Sequence, residues 1–382
     1  MRPFFICLGV SALLAACGGN PSVPGKAKKS DTTVKADNYP HDRKYNDMAR
    51  YLAGFKTRDG SVMLGQDTGR FFSEHTTRFG TQWDEMEQKR LSVMRKWAKE
   101  EIHTKVDPAK NTFYPFSGPD FLHVYQFYPN SKKYLFLANE PVGEAPDLAH
   151  MKPADLQAYL KSIQASLGDI FKRSYFITGR MLSQIPRVKG VIPVFMVFMA
   201  RTGCEVLNIE PIQLNPDGNS AKRNGPAKGG LEGVRITFRP EGKYDDIRTL
   251  EYFNCDVSDE GISAHPEIPQ YVKSFGTANT FVKAASYLMH YGTFSKIREA
   301  TMAISSAILE DDTGIPLRYL EAEYTPYLYG RYVPPVNEFK GVYQKDLAVL
   351  YKDTTHVKPL PFSLGYHWLT KDQNYMLYVK KK

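Results

Sequence analysis

The stretch FYPFSGPDFLHVYQFYPNSKKYLFLA, residues 113–138, sets the class of the fold. It holds three short aromatic and aliphatic runs, at 113–116, 121–128 and 134–138. Gly118-Pro119 and Pro129-Asn130 separate them. Short apolar runs bounded by Gly and Pro read as strands joined by turns. Upstream, Trp83, Met86, Leu91, Met94, Ala98 and Ile102 recur at helical spacing among charged neighbours, which predicts an amphipathic helix to about His103. Downstream, Pro153 and Asp155 suit a first helical turn, and Leu156, Leu160, Ile163, Leu167 and Phe171 form one stripe.

Past Pro186 the pattern predicts strands at 191–200, 205–214, 234–239 and 248–255. A polar surface loop at 215–230 carries Lys222, Arg223 and Lys228. Residues 281–309 read as helical with a break at Gly292-Thr293, and 315–382 as short Tyr-rich strands and turns. Helices and strands in this order do not alternate strictly. The expected fold is therefore α+β, a mixed, mainly antiparallel sheet with flanking helices, rather than a doubly wound sheet.

The N-terminus reads differently. Arg2 heads an almost wholly apolar run that ends in Leu14-Ala15-Ala16-Cys17. Such a run is too short to span a bilayer, which takes about 20 residues. It reads as a lipoprotein signal peptide, residues 1–16, with a lipobox that leaves an acylated, palmitate-type Cys17. Residues 17–40 are rich in Gly, Pro, Ser, Thr and Lys and read as a flexible tether. Residues 41–382 form the globular body, with room for two subdomains. Gly18 and Gly19 lack the aspartate of inner-membrane retention, so the expected location is the cell envelope, anchored at the outer membrane. The partners expected are the membrane through Cys17 and an envelope protein or polymer.

The apolar fraction of 42% and charged fraction of 24% are those of a globular body, and the formal net charge is +9. Export argues against nucleic acid as the basic chain's partner; anionic head groups or a solvated basic surface fit better. Once Cys7 leaves with the signal and Cys17 is acylated, Cys204 and Cys255 remain. In an oxidising compartment they are expected to form one disulfide, worth roughly 4 kcal/mol for a loop of about 50 residues.

Three constellations carry possible chemistry. Ser117, Asp120 and His123 combine a nucleophile, a carboxylate and an imidazole within one short segment. No G-x-S-x-G elbow is present, and turn chemistry with Asp120 capping the next segment is the simpler account. Glu310-Asp311-Asp312-Thr313-Gly314, with Arg318 nearby, could face a hard cation, but calcium-loop spacing is absent and a solvated helix stop is simpler. A dense C-terminal aromatic set (Tyr319, Tyr324, Tyr327, Tyr329, Tyr332, Tyr343, Tyr351, Tyr366 and Trp368) suits strand packing or a recognition surface. His265, His290, His356 and His367 show no zinc-ligand spacing, and no nucleotide motif follows a strand, so neither a metal nor a cofactor is implied.

The blocks at 113–120, 140–143, 311–316 and 329–335 resemble those of an uncharacterised bacterial exported-protein family, over about residues 110–370. That resemblance brings no activity with it. The lipobox resembles that of bacterial lipoproteins generally. The expected role is binding or assembly at the envelope. The alternative is an envelope hydrolase using Asp120 and His123 or Asp311 and Asp312, so whether the chain is an enzyme stays open. Cys17→Ser should move the protein from the membrane to the soluble fraction; retention on membranes would overturn the lipobox reading.

Overall fold

The computed structural model describes residues 42–67, 69–175, 188–227, 229–367 and 372–382. The signal, Cys17, the tether and Trp368 lie outside the described residues. In the opening stretch, the first and third runs are strands β1 (Asn111–Pro115) and β2 (Lys133–Ala138), paired in parallel with Phe113 opposite Leu135. The middle run, expected as a strand, is instead a helix (Phe121–Phe127). Its residues are all buried, so they show no helical periodicity, and an all-apolar run does not distinguish a buried helix from a buried strand. Parallel neighbours also require a crossover, and this helix supplies it.

The same correction applies twice more. Residues 191–200, expected as a strand, form helix Ile192–Arg201, with Pro193 in its first turn and residues 192–200 all buried. The expected helix over 281–309 resolves into three elements. Strand β7 (Ala278–Val282) and strand β8 (Ser305–Glu310) flank a helix (Ser295–Ile304), with only the latter helical over any length.

In chain order the longer helices are α1 (Arg43–Leu52), α2 (Arg70–Met86), α3 (Ser92–Trp97), α4 (Phe121–Phe127), α5 (Pro153–Arg173) and α6 (Ile192–Arg201). They are followed by α7 (Asp259–Ala264), α8 (Glu267–Ser274), α9 (Ser295–Ile304), α10 (Leu317–Leu320) and α11 (Lys345–Lys352). A π-helical turn, Glu87–Leu91, joins α2 to α3 and a second, Ala98–Ile102, extends α3, completing the long amphipathic rod that the sequence predicts. The remaining strands are β3 (Cys204–Leu214), β4 (Ser220–Lys222), β5 (Leu231–Pro240), β6 (Arg248–Asn254), β9 (Tyr324–Gly330), β10 (Val357–Lys358) and β11 (Asn374–Lys380).

All eleven strands join one mixed sheet, in the order β10-β9-β11-β8-β7-β1-β2-β6-β5-β3-β4, and the molecule is α+β. β8, β7, β1, β2 and β6 run parallel in the centre, antiparallel pairs flank them, and β10 runs parallel to β9 at one edge. Side chains alternate across the sheet as strand geometry requires. Tyr114, Tyr134, Phe136, Phe281 and Leu309 pack under α1 to α6 on one face. Phe113, Leu135, Leu137, Val282 and Ile308 pack under α7 to α11 on the other. Among the described residues no helix is long and apolar enough to cross a membrane.

The expected Cys204–Cys255 disulfide is not formed; both thiols are free and buried. Cys204 pairs with Pro240 at one end of β5, while Phe253, two residues before Cys255, pairs with Gly233 near the other end. Seven strand residues place them about 23 Å apart, against the roughly 7 Å between Cα atoms that a bridge allows. They also belong to opposite faces of the sheet. Burial pushes the Cys204 thiol up to about 11 and the Cys255 thiol up to about 12. Both should resist alkylation in the native protein and react only after unfolding. A linked pair by non-reducing mass measurement would contradict this register.

Candidate functional site

The parallel strands are wound in opposite directions from one boundary. The chain passes from β1 through α4 to β2 on one side, and from β7 through α9 to β8 on the other. Where winding reverses, the connections leave for opposite faces, and the crevice at the carboxyl ends of the strands is the favoured place for a ligand. Here those ends deliver Ser117 and Asp120 after β1, Glu140 after β2, Lys283 after β7, and Asp311 to Thr313 after β8.

At the boundary the Lys283 ammonium lies 2.6 Å from Asp120 Oδ2. The Asp120 side chain caps α4 through the His123 amide and accepts from His123 Nδ1 at 2.8 Å. Lys283 Nζ stands 3.1 Å from that nitrogen and donates to the Ser174 carbonyl at 2.5 Å. Tyr114 donates its hydroxyl to Asp120 at 3.3 Å. Asp120, His123 and Lys283 are all at most 4% exposed. Burial alone would raise the Asp120 carboxyl, but His123 and Lys283 outweigh it and hold it down at about 2. Burial lowers His123 to about 4, so the imidazole is neutral at pH 7. Since a carboxylate only accepts, Nδ1 carries the proton and Nε2 is left as an acceptor; it has no partner among the described residues.

Of the expected catalytic set, Asp120 and His123 therefore meet, but Ser117 does not complete a triad. Its amide is tied to the Leu137 carbonyl, and its hydroxyl makes no hydrogen bond among the described residues. The acidic run Glu310-Asp311-Asp312 is neither solvated nor at a helix end. It closes β8, an interior strand between β11 and β7, and is buried. Asp311 accepts from the amides of Ala284 and Thr313 and from the Thr313 hydroxyl, while Thr313 Oγ1 accepts from the Ala285 amide. Asp312 faces elsewhere, accepting from the Tyr287 hydroxyl at 2.7 Å and from Asn374 at 3.0 Å.

This clasp holds Ala284, Ser286 and Tyr287 at φ of 50°, 53° and 58°, a left-handed run costing on the order of 1–3 kcal/mol per residue. A Cβ at Gly365 would stand 2.8 Å from Asp311, which explains the glycine there. Burial pushes Asp311 up to about 6 and Glu310 well above the carboxylate range. Arg318 does not join: its guanidinium stacks on Tyr319 at the surface. Among the described residues no group of His, Cys, Asp or Glu is arranged to hold a metal ion. Most of the C-terminal tyrosines serve packing, with Tyr324 and Tyr329 fully buried, while Tyr319 and Tyr343 reach the surface.

A cleft of about 880 Å³ opens beside this cluster, between the π turn Glu87–Leu91, the end of α5 and residues 360–363. Arg90, on that π turn, donates to Ser174 Oγ at 2.7 Å and to the Ile170 carbonyl at 3.1 Å; its Nε is buried without a partner among the described residues. Ser174 ends α5 at φ 73° and is 1% exposed. It thus links the two layers, its hydroxyl taking Arg90 from the cleft side and its carbonyl taking Lys283 from within. Sequence reasoning missed Arg90, Ser174 and Lys283. Lys283 did leave a signal, as a single cation inside an apolar run; Arg90 left none.

Compared with family models, curated proteins and solved structures, the chain gives no match. His75, His123 and His290 are each held at about 4, chiefly by burial, against 6.5 when unfolded. Between pH 4 and 6.5 the unfolded chain binds more protons at these three sites, so stability falls as pH drops. Four buried carboxyls oppose this trend: Asp311 is raised to about 6, and burial also pushes up Glu310, Asp312 and Glu140. The histidine contribution is therefore read by difference, as the wild type losing more stability than His123→Gln between pH 7 and pH 5. His123→Gln should flatten the slope by about 2 kcal/mol over that range; an unchanged slope would show that His123 is not neutral in the folded state.

Proposed function

We propose that this chain is an acylated envelope protein whose body binds a small molecule in the cleft over the β1/β7 boundary. One observation carries the reading. The cleft abuts the reversal point of the parallel sheet, and its Arg90–Ser174 wall is hydrogen-bonded directly to the buried Lys283–Asp120 pair. Groups held this way are preorganised, because strand ends and buried partners fix their positions before any ligand arrives. The cleft volume lies within the range of ligand sites, roughly 300–1,000 Å³. The lipobox at Leu14 to Cys17 supports attachment to the outer membrane, which would keep the cleft in the envelope.

A hydrolase working through Asp120 and His123 is the second reading. It is favoured by the carboxylate-oriented imidazole, whose Nε2 has no partner among the described residues. The missing Ser117 contact and the engagement of Asp120 by Lys283 weigh against it. The Asp311 and Asp312 version is weaker still, since the Ala284 and Thr313 amides engage Asp311 and the Tyr287 hydroxyl and Asn374 side chain engage Asp312.

Gly168 offers a clean test. It lines the cleft from within α5, and a Cβ there would meet nothing within 4 Å. Gly168→Phe should fill the cleft without unfolding the helix. Native mass spectrometry of the protein taken from its own membranes should show a non-covalently bound small molecule that Gly168→Phe lacks. If neither protein carries one, the binding reading fails. Ester hydrolysis abolished by His123→Ala would favour the second reading instead.

A further inference from the structure

We infer that the cleft takes a single-chain amphiphile with an anionic carboxylate or phosphate head. This rests on the binding reading above and names its ligand class. The charges around the cleft do not balance. Lys89 is neutralised by Glu85 at 2.6 Å, and Asp120 is taken by Lys283. Arg90 and Lys172 remain; Asp120 acts on Arg90 only through space, and neither cation makes a direct ion pair among the described residues. The Arg90 guanidinium keeps a buried Nε that has no partner among the described residues. A mostly buried cation with a spare donor is costly unless an acceptor reaches it, and an anionic head supplies one.

The remaining walls are of the opposite character. Met86, Phe171, Leu360 and Phe362 line the same cleft, and Phe362 is anchored by edge contact with Trp97 at 5.3 Å between ring centroids. An acyl chain would lie along these side chains and lose water from its methylenes. A purely polar anion would leave that surface idle, and a neutral chain would leave Arg90 and Lys172 unanswered. One ligand satisfies both parts: head at Arg90, chain along Phe171 and Leu360.

The test is titration calorimetry with the intact body and four probes below their micellar concentrations: dodecyl phosphate, dodecanoate, dodecanol and inorganic phosphate. One or both anionic amphiphiles should bind at one site, and which of the two binds tighter assigns the head as phosphate or carboxylate. Dodecanol and inorganic phosphate should each bind at least tenfold more weakly. Arg90→Gln should weaken the anionic probes tenfold or more and leave dodecanol unchanged. Because Arg90 also ties down the end of α5, Lys172→Gln provides a second variant at the rim, expected to weaken them several-fold with an unaltered melting temperature. Gly168→Phe should abolish binding of all probes. Dodecanol binding as tightly as the anions, or indifference to both charge variants, would overturn the anionic head. Inorganic phosphate binding as tightly as dodecyl phosphate would overturn the chain. If no probe binds but the native protein carries another molecule in the cleft, the ligand class falls and the binding reading stands. If no molecule is carried either, both fall.

Discussion

The Lys283–Asp120 pair is the constraint on which the rest of the sheet edge depends. It joins the ends of two adjacent parallel strands, β1 and β7, whose residues are far apart in sequence. Burying two charges costs several kcal/mol per ion, and their attraction offsets this only when further polar groups complete the shell. Here His123, Tyr114 and the Ser174 carbonyl do so. Loss of either partner would leave an uncompensated buried charge, worth about 3–5 kcal/mol, comparable to much of a typical domain's stability. The two chain segments are thereby held in one register, and the Ser174 carbonyl brings the end of α5 to the same point.

Around that pair the molecule stores strain and satisfies it locally. The left-handed run after Lys283 persists because Asp311 and Thr313 accept its amides and Asp312 holds the Tyr287 hydroxyl. The acidic run is thus an internal clasp: Asp311 takes a backbone amide of the neighbouring loop, Asp312 the Tyr287 hydroxyl, and Glu310 the Ile315 amide of its own turn. The π turn that carries Arg90 departs from regular helix at the wall of the cleft, a placement often found where a helix side chain must be aimed at a site. Rigid strand ends, a clasped loop and an aimed arginine together make the cleft a fixed feature of the fold.

Much of the architecture could be read from the chain. The stripes from Trp83 to Ile102 and from Leu156 to Phe171 gave helices because one face of each is wet. β3, β5 and β6 were legible because their patterns fit half-buried strands with turns between them. Asp120 and His123 were also legible as a pair, since three residues along one helical turn bring them together whatever the rest of the fold does. The misread helices and strands mostly share one cause. In α4, α6, β7 and β8 nearly everything is buried, and a segment without a wet face carries no period to read.

The sequence by itself determined the local features: the capping turn at Ser117 to Asp120 and the mixed α+β class. Tertiary structure alone decided what depends on register and crossover. It separated Cys204 from Cys255 by the length of a strand and across two faces, because pairing fixes distance and a count of cysteines does not. It brought Lys283 to Asp120 and Arg90 to Ser174 because strand order places chain-distant residues side by side. Those long-range neighbours, rather than any motif, are what turn an edge of buried charges and an adjoining cleft into a candidate site.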